Sequence, residues 1–271
     1  MRRRFTERFD RSIHQLMGIP MKSFFKLATV AVVAFASAAS TVAAQTLPAA
    51  SEIVAKHVAA IGGKDAIMKI SSMQQKGTME IPTMGLTATT DIVTAENRIS
   101  VKQSIPGIGE ILQGYDGSVG WSTNPMQGPR LLADKELEQI KEQSELQASM
   151  LYPADRYTTM ETVALVDFNN EKAYKVRFVR KGSGRESIGY FSVASGLQIG
   201  GEATQESEMG KVQLTVSMGD YKQFGPIKMP GKSETTMGAN KIVMTTQDVT
   251  FNSVPATAFE LPAQVKALVK K

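Results

Sequence analysis

Long stretches of this chain alternate apolar and polar residues with a period of two, the pattern of strands with one buried face. Val212, Leu214, Val216 and Met218 alternate with Gln213, Thr215 and Ser217. Tyr174, Val176 and Phe178 alternate with Lys175 and Arg177, and Met84, Leu86, Ala88 and Ile92 follow the same rule around Thr87, Thr89 and Asp91. Turn-forming residues punctuate these runs at Asp116-Gly117, Asn169-Asn170, Gly182-Ser183-Gly184, Ser195-Gly196, Met209-Gly210 and Gly238-Ala239-Asn240. Residues that tolerate positive φ at such spacing close hairpins. The pattern predicts an antiparallel meander of roughly ten strands.

Helical periodicity is confined to three places. Ile53, Val54, His57, Val58 and Ile61 form one stripe over Ala50 to Ile61, which Gly62-Gly63 ends. Lys64 to Ile70 reads as a short second helix, and about Asp134 to Ser149 as a third, with Asp134 as its cap and Glu136 and Glu138 near its positive end. The third has few apolar residues (Leu137, Ile140, Leu146, Met150), so it is expected on a surface with Glu136, Glu138, Glu142 and Glu145 solvated. An open, curved sheet needs a cover for its apolar face, and two or three helices suffice. The expected fold is therefore mainly antiparallel β: a curved half-barrel, an incomplete β-barrel, covered by those helices.

The N-terminus carries a different signal. From Met21, the segment MKSFFKLATVAVVAFASAASTVAAQ has Lys22 and Lys26, then an apolar run, then small residues at Val42 and Ala44. That is a secretion signal with cleavage expected after Ala44, and its apolar run is too short to span a bilayer. Residues 1–44 are read as a leader, starting at Met21 or longer, and 45–271 as one domain. The leader holds seven Lys/Arg and two acids of the chain's 31 and 26, which leaves 24 of each sign. The formal charge of +5 thus belongs to the precursor and gives no reason to expect nucleic acid.

Three stretches resemble the periplasmic lipoprotein-carrier superfamily, the LolA/LolB-like fold. The first is the opening helix with its Gly-Gly stop, followed at once by a strand from Ser72 to Ile81. The second is Ile111-Leu112-Gln113-Gly114-Tyr115-Asp116-Gly117-Ser118-Val119-Gly120-Trp121-Ser122-Thr123-Asn124-Pro125, similar to the family's hairpin of apolar strand, Asp-Gly, Trp and Pro. The third is the ending, Val249-Thr250-Phe251-Asn252 through Phe259-Glu260-Leu261-Pro262. The resemblance implies an apolar cavity for acyl chains under a helical lid, with Arg98 a candidate for the lid arginine. It also implies a periplasm and lipoprotein sorting to an outer membrane. Trp121, Met84, Leu86, Met126, Ile108 and Arg98 are the cavity and lip candidates; Ile108 sits in the apolar, glycine-rich stretch QSIPGIGEI, read as a lip or a plain loop. The twelve methionines after the leader, from Met68 to Met244, suit an interior that repacks around irregular ligands, or are ordinary core filler.

Catalytic chemistry finds little support. The chain has no cysteine, which excludes disulfides, thiolate metal sites and a cysteine nucleophile. His57 is the only histidine after the leader and lies on an apolar stripe, so it reads as a packed core residue. No Gly-x-Ser-x-Gly elbow occurs, Asp116 fits a hairpin turn, and Lys181 to Arg185 lacks the following helix a phosphate loop needs. No enzyme, metal or cofactor is expected. The partner expected is a lipid or lipoprotein acyl chain, with an envelope protein possible and membrane contact transient at most. The alternative is a non-enzymatic envelope module docking on a protein such as a peptidase, and a carboxylate-only hydrolase is a distant third.

Overall fold

A computed structural model of the chain describes residues 46–207 and 210–269. The signal segment and its cleavage point, and Met209 of one expected turn, lie outside the described residues. The rest forms thirteen antiparallel strands in one open sheet, three more than the alternation predicts. In chain order these are β1 (Ser72–Ile81), β2 (Leu86–Ala95), β3 (Arg98–Ile105), β4 (Gly109–Tyr115), β5 (Gly120–Asn124) and β6 (Gly128–Leu131), then β7 (Tyr157–Phe168), β8 (Glu171–Arg180), β9 (Glu186–Ser192), β10 (Gln198–Ser207), β11 (Gly210–Phe224), β12 (Ile227–Met237) and β13 (Asn240–Phe251). The order across the sheet is β6-β5-β4-β3-β2-β1-β13-β12-β11-β10-β9-β8-β7, so two hairpin meanders meet where the first strand pairs with the last. The architecture is a curved half-barrel, with β6 and β7 as its free edges.

Five helices accompany the sheet among the described residues: α1 (Ala50–Ala60), α2 (Lys64–Met68), α3 (Asp134–Gln143), α4 (Ala148–Leu151) and α5 (Ala263–Val269). α1 buries Ile53 and Val54 on Val176, Phe178 and Phe191 of β8 and β9. Its end is fixed by the backbone: Lys228 N–H donates to Ile61 O at 2.8 Å. Gly62 makes this approach possible, because its φ is +134° and a Cβ there would lie 2.7 Å from Pro226 O. Ile67 and Ile70 then pack with Leu146 and Ile227.

The third expected helix breaks in two at Ser144, whose hydroxyl donates to Lys141 O at 2.7 Å and competes with the helical ladder. Asp134 makes no capping hydrogen bond; Ala133 is the cap, and Asp134 itself has a φ of +44°. Nor is this helix a loosely attached surface element. Ile140 is 1% exposed, packed with Leu137 on Ile99, Val101 and Tyr115, and α3 also reaches β10 across the open sheet. It is the lid of the half-barrel.

Candidate functional site

Strand pairing assigns the faces of the sheet. Residues sharing a face with the helix-covered Met73, Ile99 and Tyr115 form the inner wall. The register lines up one row of that wall directly across five strands: Met218, Ser233, Met244, Met79 and Ala88. Met79 and Ala88 are buried, and the other three are half-buried. Adjacent to the row, a groove of about 200 Å³ is lined by Phe178, Gly189, Gly201, Ala203, Leu214, Val216 and Met218, with Tyr152 at its helical end. Gly189 and Gly201 face each other across β9 and β10, and the missing side chain at Gly189 lets the ring of Phe191 lie over the strand, 2.6 Å from where a Cβ would stand.

Tyr152 is held with care. It ends α4 in the left-handed conformation (φ +49°), a costly one for a residue with a Cβ. Its hydroxyl donates to Gln198 Oε1 at 2.7 Å, and its ring centroid lies 5.2 Å from that of Phe178. Burial raises the pKa of this phenol well above its ordinary value. Behind α4 lies a second space of about 450 Å³, lined by Met68, Ile70, Leu146 and Leu151 below Lys64, Glu96, Glu145, Asp155 and Arg156. Ala148, Leu151 and Pro153 border this space while Tyr152 borders the groove, so α4 is the partition between them.

His57 lies beneath the same partition, with ring centroids 5.3 Å from Phe191 and 6.1 Å from Tyr152. It is 5% exposed, and its Nδ1 has no hydrogen-bond partner. Burial pushes its pKa down to about 4, against a smaller opposing effect of a hydrogen bond to the Gly196 backbone.

The lid is latched by ions. Glu142 and Glu145, expected to be solvated, are only 12% and 17% exposed at their side chains. Arg180 pairs with both, and Arg185 hydrogen-bonds Glu142. Arg156 Nη1 lies 3.3 Å from Glu145 Oε1, and the Ser183 hydroxyl donates to Glu142 Oε1 at 2.7 Å. The run Lys181 to Arg185, unpromising as a phosphate loop, is a hairpin turn that holds the lid.

The predicted site residues divide. Leu86 pairs with Ile81 on the inner wall. Met84, Ile108 and Met126 sit on hairpin turns at one end of the sheet, 62%, 45% and 88% exposed. Trp121 and Arg98 are corrections. Trp121 pairs with Gly114 on the outer face and packs over it: a Cβ on Gly114 would lie 2.8 Å from the indole. It is 3% exposed. Arg98 is also turned outward, with its guanidinium 4.7 Å above the ring of Phe259 in the C-terminal segment. Neither faces the inner wall. The signals that could have shown this were the Gly114–Trp121 pairing across the four-residue turn Asp116 to Val119 and the apolar C-terminal stretch that becomes α5, with Val265 fully buried. Among the described residues, no group of three or more His, Asp or Glu side chains could hold a metal ion.

No protein-family model matches this chain, and no curated protein matches its sequence significantly. Its structure, however, is similar to that of a LolA superfamily protein from Nitrosomonas europaea, with 12% identity and a TM-score of 0.54 over 79% of this chain and 99% of the other. It is also similar to a DUF1329 family protein from Desulfovibrio piger, with 9% identity and a TM-score of 0.51 over 79% and 97%. At such identities the likeness is one of architecture: the chain has a divergent LolA-like fold.

Proposed function

We propose that the inner wall shelters the acyl chain of a lipid or lipoprotein, in a protein exported to the periplasm by residues 1–44. The observation that carries this reading is the groove, whose walls are mostly apolar, with Glu202, Gln198 and Ser187 among them, and whose end is closed by one strained tyrosine. Removing an acyl chain from water yields about 0.8 kcal/mol for each CH₂ buried, so shape and apolarity suffice and no catalytic group is required. The groove alone is smaller than the roughly 300–1,000 Å³ of ordinary ligand sites. A shift of α4 joins it to the 450 Å³ space behind, and the flexible thioethers of Met218, Met244 and Met79 adapt the wall. Leu86 extends that wall, and Met84, Ile108 and Met126 stand at its rim.

Native mass spectrometry of protein purified without detergent tests this. The expected result is a discrete added mass identified as lipid or acylated peptide after extraction. Ala203→Phe, which fills the groove, should abolish the added mass without lowering the melting temperature. A bare protein that takes up nothing from lipid vesicles would end the proposal. That result would favour a docking module, for which β7 offers a twelve-residue free edge with Val163 and Leu165 exposed.

A further inference from the structure

Three hairpin tips in this protein break the usual rule that turns are polar. They are Pro82-Thr83-Met84-Gly85 between β1 and β2, Pro106-Gly107-Ile108-Gly109 between β3 and β4, and Pro125-Met126-Gln127-Gly128 between β5 and β6. Each starts with proline, exposes one large apolar side chain, ends at glycine and contains no charge. The meander places all three at the same end of the sheet, side by side. Pro125 lies against Gly109, where a Cβ would stand 3.1 Å from its ring. With strands about 4.8 Å apart, the tips form a row roughly 20 Å long. The tips at the other end are Glu96-Asn97, Asp116-Gly117-Ser118, Asn169-Asn170, Ser195-Gly196 and Gly225-Pro226, and none of them exposes a large apolar side chain.

We propose that this row is a collar that docks the protein on a lipid bilayer by inserting Met84, Ile108 and Met126 between the headgroups. The uncharged side chains of the tips favour a bilayer over a protein partner. In hydrocarbon every exposed N–H must be satisfied within the protein. Each tip satisfies part of its backbone internally: Gly85 N–H donates to Pro82 O at 3.2 Å, Ile108 N–H to Ile105 O at 3.1 Å and Met126 N–H to Asn124 Oδ1 at 2.8 Å, which lowers the cost of burying it in a bilayer. The prolines have no N–H to satisfy. A protein interface, by contrast, is rimmed by polar groups available for pairing. The collar offers few: Thr83 already donates its hydroxyl to Asn240 Oδ1, at 3.2 Å, which leaves the exposed amide of Gln127. Because the tips hold no cation, the attraction is apolar and needs no anionic lipid. The collar goes beyond the carrier reading and does not depend on it.

The test is co-sedimentation of the exported, detergent-free protein with phosphatidylcholine vesicles. Wild-type protein is expected to sediment with them and to remain bound at high salt. Met126→Asp should weaken the partition about tenfold, the loss of one buried side chain, and the combined Met84→Asp, Ile108→Asp, Met126→Asp protein more steeply. Met126→Ser guards against a folding defect, since that side chain is almost wholly exposed, and Ser118→Ala at the opposite end should change nothing. Wild-type protein that stays in the supernatant overturns the collar, as do equal binding by the combined variant, release by salt, or crosslinks from position 126 to protein rather than lipid. Lipid in the groove without vesicle binding would defeat the collar alone; vesicle binding with an empty groove would defeat the carrier reading alone.

Discussion

On the flank facing β3 to β5, α3 rests Leu137 and Ile140 on Ile99, Val101 and Tyr115, whereas toward the β8–β9 turn Glu142 and Glu145 meet Arg180, Arg185 and Arg156. The first contact is non-directional and survives small displacements, since it depends mainly on area kept from water. The second depends on geometry, because carboxylates taken from water are compensated only while their partners stay in place. A lid held this way has a hinge on one flank and a latch on the other. Opening the lid at the latch disturbs fewer apolar contacts than opening it at the hinge.

The sharpest way to break that contrast is Arg180→Met. Losing the guanidinium leaves two largely buried carboxylates short of a partner, and stability should fall by about 4 kcal/mol in urea denaturation. Adding Glu142→Gln and Glu145→Gln should restore most of it. A cost under about 1 kcal/mol would mean the ions do not hold the lid. Next is Ile140→Ala on the hinge, expected to cost about 3 kcal/mol, with little dependence on salt. If high salt altered the loss strongly, the two flanks would not be physically distinct.

Acid separates the lid from the base on which α4 sits. The folded pKa of His57 is depressed from 6.5 to about 4, so between these values the unfolded chain binds more protons than the native one. Its contribution is therefore intact above about pH 6.5 and is lost as the pH falls toward 4, by up to about 3 kcal/mol. In His57→Phe this part of the pH–stability curve should be flat; an unchanged slope would assign the acid sensitivity elsewhere. The smallest effect is expected for Arg130→Ala. This residue forms a bidentate pair with Glu136 at 2.7 and 3.1 Å at the other end of α3, a third exposed, and its removal should shift stability by at most about 1 kcal/mol.

Local pattern made much of the scaffold readable in advance. Ser72 to Ile81 is a strand over the expected residues, and Asn169 and Asn170 both take the positive φ expected of their turn. The strand count exceeds what alternation gives because the shortest strands do not alternate long enough to register: β6 has only four residues, and β5, with five, is readable only through its hairpin with β4. What local pattern could not carry was pairing at a distance. Glu142 looks solvated until β8 brings Arg180 beside it, and Trp121 looks like a cavity residue until the hairpin register turns it outward. The wall of the groove draws Phe178, Gly189, Ala203 and Val216 from four strands, and only the assembled sheet shows that they face one space.

The pairing of β1 with β13 in the middle of the sheet has a consequence in time. Each meander closes through short-range hairpins, but the seam joining them aligns Met73 with Phe251 and must wait for the end of the chain. Contacts so far apart in sequence carry a large loop-closure cost and form late. Until β13 is in place the molecule is two ribbons with raw inner edges, exposed to mispairing. Truncation before Asn240 would therefore not trim one strand from a border but split the sheet along its centre. A sheet built this way stays open along its middle until β13 has been laid between β1 and β12.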